Sequence, residues 1–512
     1  METKNRLVAV LEIGSTGIRL LVAEILENGK WQETDRAGKP VALGRDVFTS
    51  GKVSRGSFLE CFAVLQKFKE LLGGWGIEDK DVHVIATSAL RVAQNRDLFV
   101  DRVRQETGFR ITIVDGIEEN RLMYLAVRFA LKQDLPQFWQ AHTMIIDIGG
   151  GSTEIMLLRE GKMAGAHSLN LGTILIDQQS RLSLGSAQSQ ERYLREIIRN
   201  TAGLLSAEME LTHVKTFVMA GSDIRLAAAL IGTEMNEHCR IIERDRLIGF
   251  VKKIQSYSIE ACVQELRISF SEAEGFVPGL LVYKQFLEQT NAARVVVPDV
   301  SIREGLLIDL VFGVDPELQE EFFSQIIASA ATLGRKYHFD EAHNRLVADL
   351  CLEIFDALTL EHGMNRRERM LLEVAALLHD IGVFIGGANH QQHGQYIVAN
   401  SEIFGLHRDE LDIISNVIGY HRGKPPSSED IHYIALQRED RILVLKMASI
   451  LRVADALDRG HSQRIRHIGV ERKSETIVLH TQGSWDISLE LIGLEEKADM
   501  FQGVYGYKIM LT

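Results

Sequence analysis

The chain is predicted to fold as an α/β protein in two similar halves around a central cleft, followed by a helical region and a short strand-bearing tail. Three observations carry this. A strand–loop–strand–turn pattern with glycine in the loop occurs twice, at 7–30 and at 143–162. After each copy, apolar strand-like runs alternate with segments of helical spacing. From Glu317 to Leu457 the pattern is helical almost throughout, and strand alternation returns in Arg466–Thr512.

The second copy is the richer one. Met144, Ile145 and Ile146 read as a buried strand with Asp147 at its end. Gly149, Gly150 and Gly151 let backbone N–H groups approach an anion closely, and Ser152 and Thr153 add hydroxyl donors. Glu154 follows, Ile155–Leu158 reads as the return strand, and Arg159–Lys162 as a hairpin turn. The chemistry suggested is a phosphate cradle with an acid on each side. Asp147 is suited to Mg²⁺, a hard cation that favours carboxylate and phosphate oxygens, and Glu154 to acting on a water. In the first copy Leu7–Leu11 is the strand and Glu12-Ile13-Gly14-Ser15-Thr16 the loop. Ile18–Ile25 is the return strand and Glu27–Lys30 the turn. One glycine-rich loop is weak evidence, since many tight turns need glycine. Two loops with acid, isoleucine and glycine in register suggest a duplicated fold with facing phosphate loops.

Between the copies, Ser57–Trp75 has helical spacing and Val82–Ala86 reads as a buried strand. Thr87 and Ser88 are placed to cap a helix with Arg91 on its first turn, and a helix start beside a strand end is an anion site. The competing reading of Arg91 is a solvated helix charge. Arg110–Val114 is the next strand, then Asp115 as a cap and a helix over Arg121–Leu131. Glu118 and Glu119 suit a helix N-terminus electrostatically, and the residues alone favour that plain reading. The second half starts near Pro136. It continues through Asn170–Thr173, a long helix around Glu191–Thr212, and a strand Thr216–Ala220 leading to the turn Gly221-Ser222-Asp223. Val295–Pro298 is a strand, and Ser301–Gly305 begins the closing helix.

The helical region carries a second constellation. His343 lies on a helix with Leu346, Val347 and Leu350 on its apolar face, and His379-Asp380 ends the helix Arg366–Leu378. His393, His421 and Asp455 follow, the last on the helix Ile442–Leu457. Imidazole and carboxylate ligands on separate helices can converge in a bundle core, where two metals would activate water and bind a phosphate ester. A single such histidine is better read as satisfied core packing; this many in this order favour metal. The tail reads as strands over Thr476–His480, Trp485–Leu489 and Tyr505–Leu511.

Composition narrows the function. Of 512 residues 46% are hydrophobic and 25% charged, a globular balance. No apolar run approaches a membrane span, and no secretory leader is recognised. Cys61, Cys239, Cys262 and Cys351 lack metal-knuckle spacing, which fits a reducing cytoplasm. The net charge of −13 argues against general nucleic-acid binding, so an anionic substrate must be met locally by N–H groups, metal and a few arginines.

The motifs EIGSTGIRLL, ATSALR, VDGIEENRL, IIDIGGGSTE, VPGLL and SIREGLL stand in an order that resembles the exopolyphosphatase and guanosine-pentaphosphate phosphatase family. The resemblance runs through nearly the whole chain. It implies a duplicated actin–hexokinase–Hsp70-like (ribonuclease H-like) fold, with subdomains at 1–130 and 131–312. An all-α HD-like domain at 313–465 and a small α+β C-terminal cap at 466–512 are implied to follow. It also implies a catalytic glutamate at Glu119, assisted by Glu154, with Mg²⁺ on Asp147. Phosphate would be held by Gly14–Thr16, Arg91 and Gly149–Thr153. Two places depart from the family's pattern. Its first loop usually reads Asp-x-Gly-Ser-Asn-Ser where this chain has Glu12–Gly17, so Glu12, a further candidate metal ligand, is longer by one methylene. Its later Gly-Gly-Thr is Gly221-Ser222-Asp223 here, which adds a negative charge. The helical histidines and aspartates resemble the HD phosphohydrolase pattern, which implies a second divalent site for Mn²⁺, Fe or Mg²⁺, either a second active site or a structural metal site. The activity expected first is release of terminal phosphate from inorganic polyphosphate. The alternatives are guanosine pentaphosphate 5′-phosphatase activity and a weakly catalytic sensor coupled to the HD-like domain. The family also implies a homodimer.

Overall fold

The computed structural model describes residues 6–26, 30–131, 140–176, 178, 187–206, 208–312, 316–483 and 486–512. The expected turn at Glu27–Lys30 falls mostly outside them, and Pro136, Asp315 and Trp485 fall outside entirely. The chain forms two compact units, Met1–Phe322 and Phe323–Thr512.

The first unit contains two sheets. The strands of the first are β1 (Arg6–Ile13), β2 (Gly17–Ile25), β3 (Trp31–Pro40), β4 (Val82–Ala86) and β5 (Ile111–Ile113), in the order β3-β2-β1-β4-β5. The second holds β6 (Thr143–Ile148), β7 (Thr153–Arg159), β8 (Lys162–Leu169), β9 (Thr216–Ala220), β10 (Thr233–Asn236), β11 (Cys239–Glu243) and β12 (Arg294–Pro298). Its order is β10-β11-β12-β9-β6-β7-β8. Read from β8, the first five strands repeat the first sheet: two antiparallel pairs, then two parallel neighbours. The duplication expected from the two hairpins is therefore a duplication of the whole five-strand topology. The hairpin β10–β11 extends the second copy.

Burial on both faces explains the apolar runs. In β1, Ala9, Leu11 and Ile13 enter one core with Leu65, Phe68 and Phe99. Val8 and Val10 enter another with Leu307 of the helix Ile302–Phe312. A sheet covered on both sides needs apolar residues at successive positions, each worth about 1.5–3 kcal/mol when fully buried. The turn between β7 and β8 places Glu160 and Gly161 at φ 51° and 76°, the left-handed pair of a tight hairpin.

Three expected boundaries move. The helix expected from Arg121 starts at Gly116, because Asp115 accepts a hydrogen bond from the Glu118 N–H at 2.8 Å and caps it. Glu119 therefore lies in the first turn. The helix expected over Glu191–Thr212 runs Ala187–Leu205, and Leu211–His213 is a separate single turn. β5 is shorter than Arg110–Val114 by one residue at each end.

In the second unit, helices Glu341–Ala357, Arg366–Leu378, His390–Ala399, Arg408–Tyr420 and Arg438–Ala456 pack around a buried centre. The tail is a three-stranded sheet of β13 (Ile468–Lys473), β14 (Thr476–Thr481) and β15 (Lys508–Leu511), with two helices, Ser488–Lys497 and Asp499–Tyr505. The strand expected over Trp485–Leu489 is thus replaced by a helix start at Ser488, where the Asp486 carboxylate accepts the Ser488 N–H at 3.1 Å. Tyr505 likewise ends a helix, and only Lys508–Leu511 of the last expected strand is extended. No helix among the described residues is long and apolar enough to cross a membrane, and all four cysteines are buried and free.

Candidate functional site

The two hairpin loops are built alike. Gly14 N–H bonds the Gly17 carbonyl and Gly149 N–H bonds the Ser152 carbonyl, each at 2.9 Å. Register places Glu12 opposite Arg19 in one hairpin and Asp147 opposite Glu154 in the other. The loops meet tip to tip: a Cβ on Gly150 would stand 2.8 Å from Ser15 Cβ. Gly172 supports the second loop so closely that a Cβ there would lie 2.3 Å from Gly151 N. Ser88 was expected to cap a helix. Its hydroxyl instead lies 3.0 Å from that of Ser15, and the helix Ser88–Val92 begins without a side-chain cap.

Both loops line a cleft of about 810 Å³ that also takes in Ser88, Glu119, Glu154, Asp223 and Arg303. Arg91 turns toward the carboxylate. It forms an ion pair with Glu119 and donates to the Val114 carbonyl at 2.9 Å. Glu154 accepts from the Ser168 hydroxyl at 3.0 Å. Thr153 is fully buried and donates to the Leu171 carbonyl, so it braces the loop.

The acids are held in a dry environment. Burial raises Glu119 to about 7, against the opposing pull of Arg91. Burial, then the charges of Glu119 and Asp147, push Glu154 well above the usual range. Asp147 is raised to about 6 by burial, with Arg225 opposing. Asp223, expected to add negative charge, lines the same cleft, but burial raises it to about 7 and mutes that charge. Glu12 is placed between cations, with Arg303 Nε at 3.2 Å and Arg19 Nη1 at 3.6 Å. The Asp147 carboxylate accepts no hydrogen bond and forms no ion pair among the described residues. An unpartnered carboxylate beside a phosphate-type loop suits a hard divalent cation.

In the second unit the structure draws one metal-type centre from five elements. His343, His379 and Asp380 offer ligand atoms within 4.8 Å of one another, as do Asp380, His390 and His421. Asp380 is common to both groups. Asp455 Oδ1 lies 3.7 Å from His343 Nε2 and 3.8 Å from His379 Nε2. Each imidazole is steered from behind through Nδ1: His343 by Asp458 at 2.8 Å, His379 by the Ala376 carbonyl at 2.7 Å, His421 by the Ile418 carbonyl at 2.6 Å. That leaves Nε2 pointing inward, and Nε2 of His343 and of His379 are buried without a partner. Burial pushes His421 down to about 3, so it stays neutral and able to ligate. Burial opposes ionisation of Asp380, but His379 and a hydrogen bond from His390 outweigh it and hold it well below the carboxylate range.

The sequence expectation named His393 here. The structure brings in His390, one helical turn earlier, and places His393 outside both groups. Sequence reasoning also missed Lys497, which forms an ion pair with Asp455, and the pairing of Arg91 with Glu119.

The Ppx/GppA phosphatase family matches residues 21–312, and domain III of Ppx/GppA phosphatases matches residues 327–498. A guanosine-5′-triphosphate,3′-diphosphate pyrophosphatase of Pseudoalteromonas translucida is 22% identical over 525 aligned positions, covering 100% of this chain and 99% of its own. One from Aliivibrio fischeri is 22% identical, covering 94% and 93%. Among solved structures, an exopolyphosphatase from Cytophaga hutchinsonii has a TM-score of 0.55 at 17% identity, covering 60% of this chain and 99% of that one. The Aquifex aeolicus Ppx/GppA family member has a TM-score of 0.50 at 24% identity, covering 61% and 99%. These structures share the fold of about three fifths of this chain.

Proposed function

The chain belongs to the Ppx/GppA phosphatase family, and from that premise we propose that its cleft hydrolyses the terminal phosphoanhydride of guanosine pentaphosphate. The observation that carries the reading is the convergence of Glu119, Glu154 and Asp147 between two facing phosphate-type loops. In the mechanism, loop N–H groups of 15–16 and 150–152 hold the terminal phosphate, while those of Gly14 and Gly149 close the loops. Glu119, kept near neutrality by burial, accepts a proton from the attacking water. Glu154 orients that water, and Arg91 holds the Glu119 carboxylate and steadies it as protonation changes. Asp147 would hold Mg²⁺, which supplies charge neutralisation at the transferring phosphoryl group. Such a transition state needs positioning and electrostatics more than covalent help.

The sequence ranked inorganic polyphosphate first. Guanosine pentaphosphate moves ahead for two reasons. The relatives matched along their full length carry that substrate in their names. The arginines Arg19 and Arg303 are also engaged by Glu12 rather than free to track a long polyanion. The test is phosphate release from guanosine pentaphosphate and from long-chain polyphosphate in competition, with Mg²⁺, on wild type and Glu119→Ala. Preference for the nucleotide, lost in the variant, supports the reading; preference for polyphosphate replaces it with the exopolyphosphatase reading.

A second reading is favoured by the inward, unpartnered Nε2 atoms of the second unit. We propose that His343, His379, Asp380 and Asp455 hold one divalent metal and Asp380, His390 and His421 a second. The donor set of imidazoles and carboxylates fits Mn²⁺, Fe or Mg²⁺ at a hydrolytic centre.

A further inference from the structure

We propose that Lys497 is the phosphate-binding residue of the centre in the second unit, and that this centre takes a phosphate monoester dianion. The proposal rests on reading that centre as a divalent-metal site.

Lys497 ends the helix Ser488–Lys497 of the tail, far in sequence from every ligand. Its ammonium pairs with Asp455 Oδ2, while Asp455 Oδ1 is the oxygen that faces His343 and His379. The carboxylate thus has an inner and an outer face, with Lys497 on the outer one. No other described residue accepts from Nζ, so two of its three N–H donors are left for a ligand. The side chain is 15% exposed, which keeps it at the edge of the centre and not sealed in the core.

The position is fixed from the metal side. Arg452 is one turn before Asp455 on the helix Arg438–Ala456 and is 2% exposed. It donates to the Lys497 carbonyl at 3.1 Å and the Gly423 carbonyl at 2.8 Å, and pairs with Asp499 at 3.2 Å. One guanidinium therefore ties the lysine, the loop after His421 and the Asp455 helix together. A structural lysine would need only a surface acid; this one is held in place from behind while its own donors stay open. Preorganisation of this kind is what a binding group requires.

Charge selects the ligand. Two divalent ions, the carboxylates of Asp380, Asp455 and Asp458 and the Lys497 ammonium leave an excess of about two positive charges. A monoester dianion offsets more of this than a diester monoanion does. A lysine donor also matches a terminal phosphoryl oxygen better than an esterified one.

The experiment uses the full chain loaded with Mn²⁺ and titrated calorimetrically with inorganic phosphate and with dimethyl phosphate. His379→Ala identifies which phosphate-binding event belongs to this centre. In Lys497→Gln that event is expected to weaken at least tenfold, with Mn²⁺ affinity unchanged or higher, since a neighbouring cation has been removed. Lys497→Arg retains most of the affinity, and wild type binds dimethyl phosphate at least tenfold more weakly than phosphate. Wild type that binds no Mn²⁺ overturns the metal reading and this assignment with it. Mn²⁺ binding with unchanged phosphate affinity in Lys497→Gln overturns the assignment alone. Loss of Mn²⁺ binding in Lys497→Gln makes the lysine structural, and equal binding of dimethyl phosphate removes the monoester choice.

Discussion

Replacing Glu119 by glutamine should damage activity and improve stability at the same time. Glu119 is 7% exposed, and burial raises its carboxyl from 4.5 to about 7. The folded state therefore binds this proton more tightly than the unfolded chain does. Its contribution to stability is complete below about pH 4.5 and is lost as the pH rises through about 7. At 1.36 kcal/mol per unit the loss is about 3 kcal/mol. Glutamine carries no charge to bury, and its amide oxygen can still accept from Arg91. The metal-free variant should exceed wild type by roughly 1–3 kcal/mol in first-unit stability at pH 8 and match it near pH 5. Phosphate release in Mg²⁺ should meanwhile fall by about 10²–10⁴-fold, the usual worth of a positioned base. Denaturant melts at the two pH values and a phosphate-release assay read both effects. Equal stability differences at pH 5 and pH 8 would refute the buried-charge argument, and wild-type turnover would refute the role of Glu119.

Other expectations follow from the same geometry. Wild-type phosphate release should rise with pH through about 7, because the base must lose its proton; a pH–rate profile flat from 6 to 8 contradicts this. Gly172→Ala places a Cβ 2.3 Å from Gly151 N, so the second loop must shift; its activity should fall by more than tenfold, measured against Gly203→Ala, where a Cβ meets nothing. Glu12→Asp withdraws the carboxylate from Arg303, which is 3% exposed, and leaves that cation short of a partner at a cost of about 1–3 kcal/mol in a melt. Mn²⁺ at a hundred times its dissociation constant should raise the stability of the second unit by about 2.7 kcal/mol. EDTA should reverse that, and Asp380→Ala, which removes the ligand common to both groups, should abolish it.

Much of this was legible in the sequence, for identifiable reasons. Strands buried on both faces leave unbroken apolar runs such as Met144–Ile146, and a loop that brings its backbone against another chain segment must be glycine, as at Gly150. The placement of Glu119 was not legible from its neighbours. An acid in the first turn of a helix looks the same whether it faces water or a cleft, and only the family resemblance pointed inward. His390 and His393 lie one turn apart on one helix, so spacing alone leaves open which faces Asp380. The left-handed Asn389, φ 57°, immediately precedes that helix, and no periodicity encodes which of its faces turns inward. The strand expected near Trp485 failed because alternating apolar residues also occur along a helix whose Leu489, Leu491 and Ile492 are partly exposed. Lys497 left no signal, since its partner is 42 residues away in sequence.

The most direct measurement is single-turnover hydrolysis of guanosine pentaphosphate in ¹⁸O-labelled water, comparing wild type, Glu119→Gln and His379→Ala. Water activated by Glu119 in the first-unit cleft places one labelled oxygen in the released orthophosphate and none in the guanosine tetraphosphate. Glu119→Gln loses that release, and His379→Ala keeps it. Label in the nucleotide product, or release that survives Glu119→Gln and disappears in His379→Ala, would contradict the account.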